Sequence, residues 1–238
     1  VPARLIRRYK RFLADCQLED GTEVTAHCAN PGSMMGLATP GMKIWLEPND
    51  DPKRKLTYGW RLVDHENGHF TGVDTALPNR AIKAALMDRQ IAPFAGYTTV
   101  RPEVKYGENS RIDFLLTETG LPDAYVEVKS ATLSRTDGLV EFPDSVTKRG
   151  TKHLGELAQM ARDGHRAVLL YLVQRTDCGT FCVAADIDPA YAAAFADARA
   201  AGLETHVIGT HISPQGVSVA GTIPLIDPPA LVLGNQAG

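Results

Sequence analysis

Aromatic residues are scarce in this chain, 7% of 238 residues with two Trp, and cysteine is limited to four positions. Four cysteines without a C-x-x-C pair make neither a disulfide framework nor a zinc knuckle, so reduced thiols and a cytoplasmic location are expected. No stretch reaches the roughly 18 apolar residues a membrane span requires, and no apolar segment follows the basic N-terminus as a secretory signal would. An excess of one charge is also missing, because 25 Lys and Arg stand against 28 Asp and Glu for a formal net charge of −3. General attraction to nucleic acid is thereby excluded, and any binding of that kind must come from a local basic surface. The chain has no G-x-S-x-G elbow, no zinc-ligand spacing among its histidines and no helix-turn-helix to read a major groove. Internal repeats are absent.

What remains is a chain long enough for two domains, with 44% hydrophobic residues to build their cores. The first 74 residues read as short strands punctuated by turns. Residues 4–18 are extended in character, Asp20-Gly21 marks a hairpin, Asn30-Pro31-Gly32 breaks the chain, and further strands follow at 42–48, 56–63 and 69–73. Such spacing without helical pattern indicates a small barrel or sandwich. The pattern then changes. Residues 79–91 carry Ile82, Ala85, Leu86 and Ile91 on one helical face, and strands are expected at 98–106, 110–117, 123–131 and 138–142. A helix over 147–163, the apolar strand 166–173, a strand near 180–186, an alanine-rich helix from Pro189 to Ala201 and strands near 204–212 and 216–220 complete an α/β sandwich. The boundaries read as 1–75 for the barrel and 76–226 for the sandwich. A Pro- and Gly-marked tail, 227–238, is expected to be loosely attached.

Chemistry concentrates in two adjacent runs of the second unit. Asp113 lies within the apolar run SRIDFLL, and Glu127 and Lys129 stand two apart in AYVEVKS. Strand periodicity puts Glu127 and Lys129 on one face and Val126 and Val128 on the other. If residues 110–117 and 124–131 pair as a hairpin, Asp113 reaches the face that carries Glu127. Two hard carboxylates beside an ammonium suit Mg²⁺ or Mn²⁺, with phosphate oxygens and water completing the shell. The bland alternative for Glu-x-Lys is an exposed ion pair on a half-solvated face. An Asp among Ile, Phe and two Leu argues against it, because an unpaired buried carboxylate is costly.

Two basic runs, Arg4 to Arg11 and Lys53 to Lys55, are the local positive surfaces. In the first, Arg7, Arg8, Lys10 and Arg11 interleave with Tyr9 and Phe12, a pattern suited to a DNA backbone with stacked bases. Trp60 on another strand is a further candidate for such stacking.

The runs RYKRFLADC, HCANPGSM, SRIDFLL, YVEVKSATL and FPDSVTKRGTKHLGEL, in that order, resemble the sugar fermentation stimulation protein A (SfsA) family. The resemblance implies an OB-fold-like β-barrel followed by a PD-(D/E)XK nuclease-like α/β domain. It also implies DNA as partner and a link to the regulation of sugar-utilisation genes. Asp113 and Glu127 match the acids of the nuclease motif and Lys129 its lysine. Asn79 stands near the start of the preceding helix, where such enzymes often have another Glu. The helix after the motif adds Arg149 and Lys152 for phosphate contact and His153 and Glu156 to orient water. A Mg²⁺- or Mn²⁺-dependent DNA phosphodiesterase is one expectation, and a non-catalytic DNA-binding regulator is the alternative. A hydrolase of a small phosphorylated ligand is a third reading. The sequence does not fix the oligomeric state, and a homodimer is compatible with it.

Overall fold

The computed structural model describes residues 1–107 and 110–227, so the expected tail falls, from residue 228 on, outside the described residues. The first unit contains β1 (Pro2–Tyr9), β2 (Leu13–Leu18), β3 (Glu23–Cys28), β4 (Lys43–Pro48), β5 (Tyr58–Asp64) and β6 (Phe70–Gly72). β1 lies between β2 and β4, β2 pairs with β3, and β4 pairs with β5. A parallel seam, His27 with Gly59 and Cys28 with Trp60, joins β3 to β5 and closes a five-stranded barrel of OB type. Alternate residues fill it: Ala3 and Leu5, Ala14 and Cys16, Ala26 and Cys28, Ile44 and Leu46. The extended run 4–18 is two strands, because Lys10 and Arg11 take left-handed backbone at φ 48° and 63° and reverse the chain. No Gly or Asn announces that turn, which is why the run reads as continuous.

β6 extends the barrel sheet by pairing with β5 and also docks on the second unit. The Gly72 amide donates to the Gln174 carbonyl at 2.9 Å, and a Cβ on Gly72 would lie 2.7 Å from Gln174 Oε1, so any larger residue would have to displace that buried side-chain amide.

The second unit follows with α1 (Leu77–Met87), β7 (Thr99–Tyr106), β8 (Ser110–Thr117), β9 (Ala124–Ala131), β10 (Leu133–Thr136) and β11 (Leu139–Phe142). Then come α2 (Lys148–Arg162), β12 (Arg166–Val173), β13 (Thr180–Val183), α3 (Pro189–Ala200), β14 (Glu204–Ser213) and β15 (Gly216–Thr222). The main sheet runs β15-β14-β12-β9-β8-β7, with β9, β12 and β14 parallel and the outer strands antiparallel. β10, β11 and β13 form a smaller sheet. α1 begins two residues before the expected helix because Pro78 sits in its first turn, where the missing N–H costs nothing. Ile82, Ala85 and Leu86 of α1 cover the sheet face of Val126, Val128 and Leu170. α2 and α3 cover the opposite face through Leu154, Leu157, Tyr191 and Phe195. One carboxylate starts both of these helices, since Asp188 accepts from Tyr191 N and Thr147 N.

Candidate metal centre

The β8–β9 ladder holds at Phe114–Val126, Leu115–Tyr125 and Leu116–Ala124, and its recorded pairing stops before Asp113 and Glu127. There the Asp113 carboxylate takes the place of a strand neighbour: Oδ2 accepts the Val128 amide at 2.7 Å. Oδ1 accepts Asn79 Nδ2 from the first turns of α1, also at 2.7 Å. Burial, and then the nearby Glu127 charge, push the Asp113 carboxyl above the usual range despite these two bonds.

Glu127 projects from the opposite side of the opened ladder, and its side chain is 4% exposed. Its Oε1 receives Lys129 Nζ at 2.6 Å and His153 Nδ1 from the buried face of α2 at 2.5 Å. Burial alone would raise the Glu127 carboxyl, but these two donors outweigh it and hold it below the usual range. Arg149 Nε donates to His153 Nε2 at 3.3 Å, which makes that nitrogen the acceptor and leaves Nδ1 to donate to Glu127. Lys129 is itself only 16% exposed, so the exposed-ion-pair reading of Glu-x-Lys does not describe this site.

Glu127 Oε2 is buried and has no hydrogen-bond partner among the described residues. The same holds for Glu156 Oε2 and for the hydroxyl of Tyr106, whose ionisation is opposed by burial and then by Glu127, Glu156 and Asp113. Lys152 sits 3.5 Å from the other oxygen of Glu156. Glu127 Oε2, Glu156 Oε2 and the Tyr106 hydroxyl are thus three buried oxygens without a partner, and a divalent cation or its waters would satisfy the two carboxylate oxygens. Among the described residues no group of three or more His, Cys, Asp or Glu converges as a finished cage. Two carboxylates fit Mg²⁺ or Mn²⁺, which retain water and take phosphate oxygens. Sequence reasoning missed Tyr106 because its position at the end of β7 becomes informative only when β8, β9 and α2 surround it.

The structure thus gathers Asp113, Glu127, Lys129, Asn79, Arg149, Lys152, His153 and Glu156 around the β8–β9 opening. Of the barrel candidates, Arg7 lies 4.9 Å over the Tyr9 ring, and Trp60 is turned away from the surface. Trp60 is fully buried and donates Nε1 to the Leu62 carbonyl, so it fills the barrel and is unavailable for stacking on DNA. The reason is steric: a narrow barrel lined by Ala and Cys needs one large ring at its centre. Arg8 also departs from expectation, since its guanidinium holds the Asn30 and Gly32 carbonyls at 2.7 and 3.0 Å and so anchors the Asn-Pro-Gly turn. Arg7 pairs with Asp15 at 2.8 Å and Tyr9 donates to the same carboxylate, whereas Lys10 and Arg11 are exposed.

The OB barrel and the α/β unit that follows it agree with what known families show. Residues 6–73 match the SfsA N-terminal OB domain, and residues 76–216 match the sugar fermentation stimulation protein RE domain. The chain belongs to the sugar fermentation stimulation protein family. A homolog from Roseobacter denitrificans is 73% identical over 226 residues, covering 94% of this chain and 96% of that protein. A second, from Agrobacterium fabrum, is 52% identical and covers 94% and 93%. Among solved structures, SfsA of Pyrococcus furiosus in complex with Ca²⁺ superposes with a TM-score of 0.85 at 26% identity, covering 94% of this chain and 95% of that one. Family membership carries the barrel and the α/β unit together, over nearly the whole length. No described helix is long and apolar enough to cross a membrane.

Proposed function

We propose that this SfsA family member is a DNA-binding protein with a divalent-metal phosphodiesterase site at the β8–β9 opening. The observation that carries the reading is the buried, partnerless Oε2 of Glu127 beside Asp113 and Lys129. Asp113 and Glu127 hold Mg²⁺ or Mn²⁺, and the Ca²⁺ named for the Pyrococcus furiosus relative supports a divalent ion in the family. The ion, when bound, supplies a Lewis acid for the phosphate and lowers the pKa of a water. Asn79 and the Val128 amide fix the Asp113 carboxylate, and His153 fixes that of Glu127. Lys129 Nζ, tethered to Glu127, stands where it stabilises negative charge developing on phosphorus. Arg149 and Lys152 line the exposed side of α2 for the adjoining backbone phosphates.

One observation favours a second reading, a non-catalytic DNA-binding regulator: Glu127 Oε1 is already saturated by Lys129 and His153. Plasmid and single-stranded DNA incubated with Mg²⁺ or Mn²⁺ separate the two. Metal-dependent cleavage lost in Glu127→Gln supports the first reading, and salt-sensitive binding without cleavage in any metal supports the second.

A further inference from the structure

Phe12 is 46% exposed and is the one Phe, Tyr or Trp ring among the described residues that is exposed rather than buried or half-buried. It ends the β1–β2 turn built by left-handed Lys10 and Arg11, a backbone that side chains larger than glycine rarely adopt. The turn is tied down on both sides: the Phe12 amide donates to the Lys10 carbonyl at 2.7 Å, and the Phe12 carbonyl accepts Cys28 N at 2.8 Å. This places the Phe12 ring nearly parallel to the exposed His27 imidazole of β3, at 16° and 6.4 Å between centroids. His27 in turn borders a cavity of about 640 Å³ whose rim includes Tyr58, Arg54 and Lys55 from the β4–β5 side, and Arg80 of α1. That volume suits a ligand the size of one or two nucleotides.

The charges leave the cavity cationic. Arg61 and Arg80 are engaged by Asp74, and Arg61 also by Glu47, while Lys55 has no ion-pair partner among the described residues and Arg54 approaches Asp51 only at 4.0 Å. Lys10 and Arg11, both exposed and without an ion-pair partner among the described residues, add two cations at the Phe12 end. A flat apolar platform flanked by free cations matches unpaired bases on a phosphate backbone, because stacking needs an exposed ring face and a duplex hides its bases.

We infer that Phe12 and His27, with Lys10, Arg11, Arg54 and Lys55, form a subsite that stacks and grips a single-stranded DNA segment. The inference rests on the DNA-binding half of the function proposed above and is independent of cleavage.

The test uses the full chain in EDTA, so that no cleavage intervenes, with a labelled dT oligonucleotide, the same oligonucleotide made abasic, and a duplex. The wild type is expected to bind the dT strand more tightly than either control. Phe12→Ala should weaken dT-strand binding about ten-fold, within the usual worth of one stacked base, while leaving duplex affinity and Tm unchanged. 2-Aminopurine in the strand should be quenched on binding to wild type and not to Phe12→Ala. Phe12→Trp, which keeps a ring, should restore affinity and quenching. Equal affinity for dT and abasic strands, a duplex preference, an unchanged Phe12→Ala affinity, or saturation of the cavity by dTMP without strand binding would each overturn the inference. If the wild type stacks the strand but cleaves nothing in Mg²⁺ or Mn²⁺, the subsite stands and the catalytic reading falls.

Discussion

Two glutamates buried in the same domain have opposite surroundings. Glu141 on β11 receives Arg135 through Nε, Nη2 and the backbone amide, so both carboxylate oxygens are satisfied, and Arg135 extends the network to Asp186. Glu127 on β9 has one oxygen held by two donors and the other by none. A guanidinium fork completes a carboxylate geometrically, whereas a lysine and an imidazole crowded on one oxygen leave the second exposed to whatever enters. The first arrangement holds the small sheet together. The second leaves an acceptor open at the place where the β8–β9 ladder opens, and that difference separates a structural acid from one placed for ligand.

The largest expected effect sharpens this contrast at Glu127. Lys129→Ala or Glu127→Gln should lower metal-dependent cleavage by about 10²–10³-fold, measured by supercoiled-plasmid nicking, with the fold retained by circular dichroism. Cleavage unchanged in both would break the distinction. On the Glu141 side, Arg135→Ala leaves a buried carboxylate uncompensated and should cost about 2–4 kcal/mol, read as a lowered urea midpoint. Its cleavage rate per folded molecule should match the wild type.

A smaller effect concerns Asp113 and pH. Its carboxyl is raised by burial and then by the Glu127 charge, so the folded metal-free chain favours protonation of this group more than the unfolded chain does. The associated stability is present below the ordinary aspartate range and lost as pH rises through the folded value, which leaves ionised Asp113 a liability at neutral pH. Asp113→Asn should therefore raise the metal-free Tm at pH 7 by about 2–4 °C, an advantage that shrinks in acid. Glu127 has the opposite sign: its lowered carboxyl contributes stability above the ordinary glutamate range and loses it as pH falls through the folded value. A Tm for Asp113→Asn below wild type at neutral pH in EDTA would contradict the burial argument. The smallest effect belongs to Tyr106→Phe. Removing a buried hydroxyl without a partner should leave stability within about 0.5 kcal/mol while weakening divalent-ion affinity a few-fold by titration. Loss of stability would mean the hydroxyl is satisfied inside the fold.

Much of this was legible in the residues. The runs SRIDFLL and RAVLLYLV coincide with β8 and β12, since a strand buried on both faces is continuously apolar and its ends are marked. Glu127 and Lys129 share a face because period two requires it. What tertiary packing decides was not legible. The Lys10–Arg11 reversal carries no glycine, and β10 is four residues long and exists only because β11 pairs with it. Trp60 has the same local sequence character whether it points into a barrel or out of it. His153 reads as one member of a charged helix face, yet it lies on the buried side of α2 with Leu154 and Leu157, where its partner is a carboxylate 26 residues earlier in the chain.

The opened acid pair itself is reached most directly by calorimetric titration of Mn²⁺ into EDTA-stripped wild type and into the Asp113→Asn, Glu127→Gln double variant, with a non-cleavable phosphorothioate strand present. A site that saturates in the wild type and vanishes in the double variant is the expected result. Equal Mn²⁺ binding by the two proteins, or none by the wild type, would contradict the assignment of residues 113 and 127 as the cation's holders.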